Sequence, residues 1–164
     1  MKRLILMRHA KSSWDHPGMS DHERPLNARG IRSAKALGAW LKERNFIPDQ
    51  TLSSSSTRTR ETFATLGLRG DVRWLDRLYH AAPEDMLRAL MQATGHTVLM
   101  LGHNPGIAEF AQDVVETAPD HPRFDDYPTG ATLVAEFDID DWSLLEMGTG
   151  RTLAFVVPRE LIDE

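Results

Sequence analysis

Two histidines and two arginines are set apart by what surrounds them. Leu4-Ile5-Leu6-Met7 is a short apolar run ending in Arg8-His9, and Thr97–Leu101 is a second one ending in Gly102-His103. Between them, Ser53-Ser54-Ser55-Ser56-Thr57-Arg58-Thr59-Arg60-Glu61-Thr62 carries a row of hydroxyls into a helix start. Guanidinium presents a fixed fork of donors suited to phosphate, and imidazole can serve as a nucleophile or a proton donor. Both apolar runs read as buried strands, too short for helices. In open α/β sheets, ligands bind beyond the carboxyl ends of the strands. Taken singly, each histidine reads equally well as a polar strand end meeting solvent, and Arg58 and Arg60 as an exposed helix face. Two histidines at equivalent ends of one sheet point instead to a shared crevice. A helix start after the serines adds backbone N–H groups and a positive dipole end that favour an anion there.

Positioning these groups takes strands that alternate with helices. Asn27 caps a helix to about Arg44, with Ile31, Ala34, Leu37 and Leu41 on one face. A short strand Gln50–Ser53 precedes a helix Thr57–Leu66 closed by Gly67, and Val72–Leu75 is the next strand. Pro83 opens a helix to about Ala93, with Glu84 and Asp85 near its amino end. After Thr97–Leu101, Asn104 caps and Pro105 opens a helix to about Glu116. The order predicts an α/β fold, a mostly parallel central sheet with helices on both faces. Thr132–Asp138, Ser143–Met147 and Thr152–Val157 read as strands joined by tight turns, an antiparallel meander at the C-terminal edge. The loop Pro119–Gly130, with three prolines and three acidic residues, is long enough to suggest a functional role.

With 164 residues, 41% hydrophobic and 26% charged, the chain suits one globular domain, 1–164. It has no cysteine, which excludes disulfides, thiolate metal sites and a cysteine nucleophile. No apolar run approaches membrane-spanning length or a signal-peptide core, so the expectation is a cytoplasmic protein away from membranes. Net charge is −5, divided between +7 in residues 1–60 and −12 in residues 61–164. An acidic chain is a poor nucleic-acid binder, whereas a basic first third fits a local anion site. Arg29, Arg32, Lys35, Lys42 and Arg44 read as the solvated face of the first long helix. Of the other histidines, His16, His22, His96 and His121 form no metal-ligand spacing, and neither metal nor cofactor is expected.

Four ordered motifs resemble the histidine phosphatase, or phosphoglycerate mutase-like, superfamily across nearly the whole chain. Arg8-His9-Ala10 resembles its Arg-His-Gly motif, with alanine in place of glycine. Arg24-Pro25-Leu26-Asn27-Ala28-Arg29-Gly30 resembles the Pro-Leu-x-x-x-Gly stretch that opens the first helix. Ser54 to Thr62 resembles Ser-x-x-x-Arg-x-x-x-Thr, which gives the phosphate-binding role to Arg58 rather than Arg60. Gly102-His103-Asn104-Pro105 resembles the motif of the second histidine. The short length, His9-Ala10-Lys11-Ser12 and Pro128-Thr129-Gly130-Ala131 look most like the SixA-type phosphohistidine phosphatase branch. The resemblance implies that neutral His9 attacks phosphorus and that water hydrolyses the resulting phosphohistidine. Arg8, Arg58 and a protonated His103 would surround the phosphoryl oxygens. Those charges should lower the pKa of His9, and one of its ring nitrogens is expected to donate to a backbone carbonyl that fixes the tautomer.

Larger members of the family carry a general acid on a long insertion after the third strand. Here Leu78-Tyr79-His80-Ala81-Ala82-Pro83-Glu84-Asp85 fills that place and leaves no room for a lid. Glu84 reads chiefly as a helix-start residue and His80 as a weaker acid candidate. Imidazole, with an ordinary pKa near ~6.5, leaves readily in protonated form, unlike an alkoxide. An open site without a dedicated acid therefore suits a phosphohistidine displayed on a partner protein better than an alkyl phosphate. Lys11 and Ser12 are candidate substrate contacts, Asp21 a candidate partner of Arg24, and Thr129-Gly130 a candidate approach to phosphate. The rival readings are a phosphatase or mutase acting on a small phosphorylated metabolite, and a module that binds phosphate or phosphoprotein without turnover.

Overall fold

The computed structural model describes residues 1–162, so the single-domain expectation over 1–164 extends two residues beyond them. Six strands form one sheet: β1 (Lys2–Arg8), β2 (Gln50–Ser54), β3 (Asp71–Leu75), β4 (Thr97–Gly102), β5 (Thr132–Phe137) and β6 (Arg151–Val156). Their spatial order is β3-β2-β4-β1-β5-β6. The first four are mutually parallel, while β5 runs antiparallel to β1 and β6 antiparallel to β5. Four helices complete the fold: α1 (Ala28–Glu43), α2 (Thr57–Leu66), α3 (Pro83–Met91) and α4 (Gly106–Val114).

The two-residue alternation of the central strands divides the core into two layers. Ile5, Met7, Leu99 and Leu101 pack with Leu37, Leu41 and Leu66 of α1 and α2. Leu4, Leu6, Val98 and Met100 point the other way, onto Met86, Leu90, Ile107 and Phe110 of α3 and α4. All of these but Leu66 (2%) have no exposed surface, and each such leucine contributes about 1.5–3 kcal/mol relative to exposure. Close approach of α1 to α2 depends on Gly38, where a Cβ would stand 2.2 Å from the Leu66 carbonyl oxygen.

Several local expectations are corrected. The buried stripe of α1 runs through Gly30, Ala34, Leu37 and Leu41, and Ile31 lies outside it, 41% exposed. Ser143–Met147 is not a strand: Trp142–Leu144 is a single 3-10 turn, and the edge carries two antiparallel strands rather than a three-stranded meander. The cause is Trp142, whose indole is buried against Phe137 and donates to the Gly95 carbonyl at 2.7 Å, which pulls the connection across the sheet end. Asn104 does not cap α4. The Asn104–Pro105 peptide is cis, and the Asn104 amide donates instead to the carbonyls of Asp126 and Tyr127 at 2.9 and 3.1 Å. Helices α3 and α4 end at Met91 and Val114, two residues short of the expected ends.

Candidate active site

Strands β1 and β4 are neighbours, yet the chain leaving β1 leads to α1 on one face and the chain leaving β4 leads to α4 on the other. Such divergence opens a crevice at the carboxyl ends of the two strands. His9 directly follows β1 and His103 directly follows β4, and their ring centroids lie 5.2 Å apart. Strand β2, on the far side of β4, delivers Ser54 and then α2 with Arg58 in its first turn. A cavity of about 250 Å³ results, lined by Arg8, His9, Lys11, Ser12, Trp14, Arg24, Arg58, His103, Asn104 and Thr129. Four of these are cationic and none is acidic.

His9 is buried, and its Nδ1–H donates to the Ala10 carbonyl at 2.7 Å. That bond leaves the lone pair on Nε2, toward which Arg58 Nε–H donates at 3.4 Å. Burial, followed by the charges of Arg8, Arg58 and Arg24, lowers the His9 pKa to about 3, against a smaller opposing effect of the Ala10 bond. The ring is thus neutral at physiological pH, with its free nitrogen among guanidinium groups. Thr62 ties the elements together: its hydroxyl accepts from Ala10 N–H at 3.0 Å and donates to the Arg58 carbonyl at 2.7 Å. The N-terminal end of α1 also abuts this turn, because a Cβ on Gly30 would meet the Lys11 carbonyl oxygen at 2.1 Å.

Arg8 is held by the long loop before β5. Its Nη1–H donates to the Tyr127 carbonyl at 3.2 Å, while its buried Nε–H has no partner. Burial and the adjacent Arg58 both lower the Arg8 pKa. The Tyr127 side chain is fully buried, and its hydroxyl donates to the Leu6 carbonyl and accepts from Leu133 N–H at 3.0 Å. The loop Pro119–Gly130 is therefore a brace for the β1 end, and Gly130 N–H donates to the His9 carbonyl at 2.9 Å.

His103 departs from the expectation of a charged ring. Burial, then the neighbouring His9, Arg58 and His80, lower its pKa to about 2, so the ring is neutral at physiological pH. Its Nε2 lies 2.8 Å from the Ser54 hydroxyl and 3.4 Å from that of Ser56, and its buried Nδ1 has no partner. In the tautomer where the Ser54 hydroxyl donates to Nε2, the ring proton sits on Nδ1 and has no protein acceptor. The two unpartnered buried nitrogens of arginine and histidine lining the crevice are Arg8 Nε and His103 Nδ1.

Asp21 was foreseen only as a partner of Arg24, and it is a larger junction. Its carboxylate accepts from Arg24 at 2.8 Å, from Arg58 Nη2–H at 3.0 Å and from the Tyr79 hydroxyl, and its carbonyl accepts from Arg58 Nη1–H at 2.7 Å. Desolvation alone would raise this carboxyl, but the bonds from Tyr79, Arg24 and Arg58 outweigh it and hold the pKa well below the usual carboxylate range. Arg24 also donates to the Ser12 hydroxyl, so Ser12 lines the cavity with part of its bonding already engaged. Lys11 and Thr129 line the cavity as well. Arg60 points away, donating to the Ser55 carbonyl at 2.8 Å beside Trp74. His80 stands at the rim, exposed, with Nε2 3.5 Å from Asp21 and its ring 5.7 Å from that of His103. Glu84 is exposed on the first turn of α3 and does not line the cavity; Asp85, not Glu84, accepts from the Ala82 N–H. Among the described residues no group of three or more His, Asp or Glu is placed to hold a metal ion, and no helix is long and apolar enough to cross a membrane.

Residues 4–79 match the model of the histidine phosphatase superfamily, branch 1. A protein of Mycobacterium tuberculosis, itself uncharacterised, is 33% identical over 160 residues, spanning 93% of this chain and 100% of that one. Among solved structures, the proposed phosphohistidine phosphatase SixA of Nakamurella multipartitia superposes with a TM-score of 0.84 at 28% identity, with 96% of each chain covered. Its proposed counterpart from Agrobacterium tumefaciens gives 0.75 at 26% identity, over 96% of this chain and 98% of that one. The chain belongs to the histidine phosphatase superfamily, on its SixA-type branch, and its fold is phosphoglycerate mutase-like. Its activity is, in class, that of a phosphatase.

Proposed function

We propose that this protein removes the phosphoryl group from phosphohistidine on a partner protein, without a metal, through a phosphohistidine formed on His9. The observation that carries the reading is the His9 tautomer: Nδ1–H is committed to the Ala10 carbonyl, and the free Nε2 pair lies among Arg8, Arg24 and Arg58. In the first step Nε2 forms a bond to phosphorus while the bond from phosphorus to the substrate nitrogen breaks. The departing imidazole leaves with the proton it carries or takes one from solvent. In the second step water attacks phosphorus, the bond to Nε2 breaks, and inorganic phosphate departs. Arg8, Arg58 and His103 Nδ1–H meet the three equatorial oxygens, where the transition state spreads its charge. A dianion in the crevice reverses the balance at His103 and favours the charged ring.

Protein phosphohistidine is favoured over a sugar phosphate by the rim of the site. Only the short turn Asp76–Leu78 and four further residues separate β3 from α3, which leaves no length there for a lid insertion. The rim offers the exposed His80 and no carboxylic acid set for an alkoxide leaving group. Incubating the protein with a ³²P-phosphohistidine protein and quenching in alkali should trap an acid-labile phosphoenzyme in the wild type and none in His9→Ala. Label retained by His9→Ala, or faster turnover of sugar phosphates than of phosphohistidine, defeats the proposal.

A further inference from the structure

A second cavity, of about 260 Å³, adjoins the first and shares Lys11 and Thr129 with it. Its remaining walls are Arg29, Ser33, Arg123, Pro128, Val157, Pro158 and Arg159. Four of its nine lining residues are cationic and none is acidic, in a chain whose net charge is −5. Arg123 is engaged by Asp126, through bonds of 2.9 to 3.2 Å. Lys11 and Arg159 are exposed and form no ion pair among the described residues. Arg29 and the buried Ser33 come from the first two turns of α1, so the positive end of that helix adds to the field. Arg29 thus departs from the solvated-face expectation and forms part of a wall.

We propose that this annexe is an anion subsite that holds an acidic side chain next to the phosphohistidine of the partner protein. The proposal rests on the phosphohistidine reading of the first cavity and adds what that reading lacks, a means of choosing among phosphohistidine proteins. The shared wall at Lys11 and Thr129 puts the two cavities within reach of two anions carried by one substrate. A carboxylate is the suitable occupant because Lys11 and Arg159 are solvated cations on flexible stems. They select charge and place it loosely, unlike the buried guanidinium groups around His9. Solvated pairs of this kind support a preference of about fivefold, and added salt should weaken it.

The test uses two phosphohistidine peptides, one flanked by Asp and Glu and one by Ala, together with mono- and bisphosphorylated small metabolites. Wild type should show kcat/KM about fivefold higher for the acidic peptide. Arg159→Glu should abolish or invert that preference and leave turnover of the Ala-flanked peptide unchanged, and Arg159→Lys should retain most of it. Equal turnover of the two peptides by wild type, or a preference that survives Arg159→Glu, overturns the subsite. A preference for the bisphosphorylated metabolite that Arg159→Glu removes, with no preference between peptides, overturns the protein carboxylate as its occupant. Failure to hydrolyse either peptide overturns the phosphohistidine reading itself, a result distinct from hydrolysis of both at one rate.

Discussion

Acid should destabilise this protein in a way traceable to His9. In the unfolded chain His9 titrates near the ordinary histidine pKa of ~6.5, whereas in the folded protein burial and three guanidinium groups lower it to about 3. A base whose folded pKa is depressed stabilises the fold above the unfolded pKa and loses that contribution as pH falls, because the unfolded chain binds the proton first. The window runs from about pH 6.5 down to about 3. Between pH 7 and pH 5 the unfolded ring goes from about one quarter protonated to nearly full, while the folded ring stays neutral. Integrating that difference gives a loss of about 2 kcal/mol. The figure is set almost wholly by the unfolded chain, since pH 5 still lies above the folded value. His103, lowered to about 2 chiefly by burial, adds a similar amount. The comparison that isolates the effect is wild type against His9→Asn, whose amide can still donate to the Ala10 carbonyl but does not titrate. Urea unfolding followed by tryptophan fluorescence at pH 7, 6 and 5 should show the wild type losing about 2 kcal/mol more than the variant. Curves that run parallel to within about 0.5 kcal/mol over that range refute a neutral, buried His9.

Asp21→Asn removes the charge that restrains Arg58 and Arg24, and Arg58 should lose its fixed approach to the crevice. Because Asp21 is partly solvated, the effect on phosphoenzyme formation is about tenfold, near the low end for charge-assisted bonds, measured as kcat/KM on a phosphohistidine protein. Tyr127→Phe strips the buried hydroxyl from Leu6 and Leu133 and should cost about 1–3 kcal/mol, seen as a melting temperature lower by roughly 2–10 °C. Gly38→Ala forces α1 from α2 at the Leu66 carbonyl and should cost about 1–3 kcal/mol in denaturant, with the separation of the helices visible in a structure of the variant.

The frame of the site was legible because strands and phosphate groups obey strong rules. Apolar runs ending in Arg8-His9 and Gly102-His103 specify strand ends, and one parallel sheet brings such ends into a single crevice. Arg58 was separable from Arg60 only through the motif, for both share one short helix and the same residue type. The Asp21 junction was not legible, because its partners Arg58 and Tyr79 are 37 and 58 residues away and reach it through loops without periodicity. The neutral state of His103 was missed for another reason. Spacing shows which charges stand near a group, whereas desolvation depends on the packing around it. Ser143–Met147 failed because a short run between two turn signals reads as a strand, while the burial of Trp142 decides the path of the chain.

The mounting of His103 on the Ser54 hydroxyl has a dynamic consequence. A hydroxyl can reverse the sense of its hydrogen bond by rotating one hydrogen, donating to a bare ring nitrogen and accepting from a protonated one. Ser54 can therefore follow the ring from neutral to charged and back with its oxygen still 2.8 Å away. A carboxylate in that place would favour one charge state throughout, and a backbone carbonyl could only accept. Under the mechanism proposed above, that hydroxyl would let His103 change charge while the heavy atoms of the crevice stay in place.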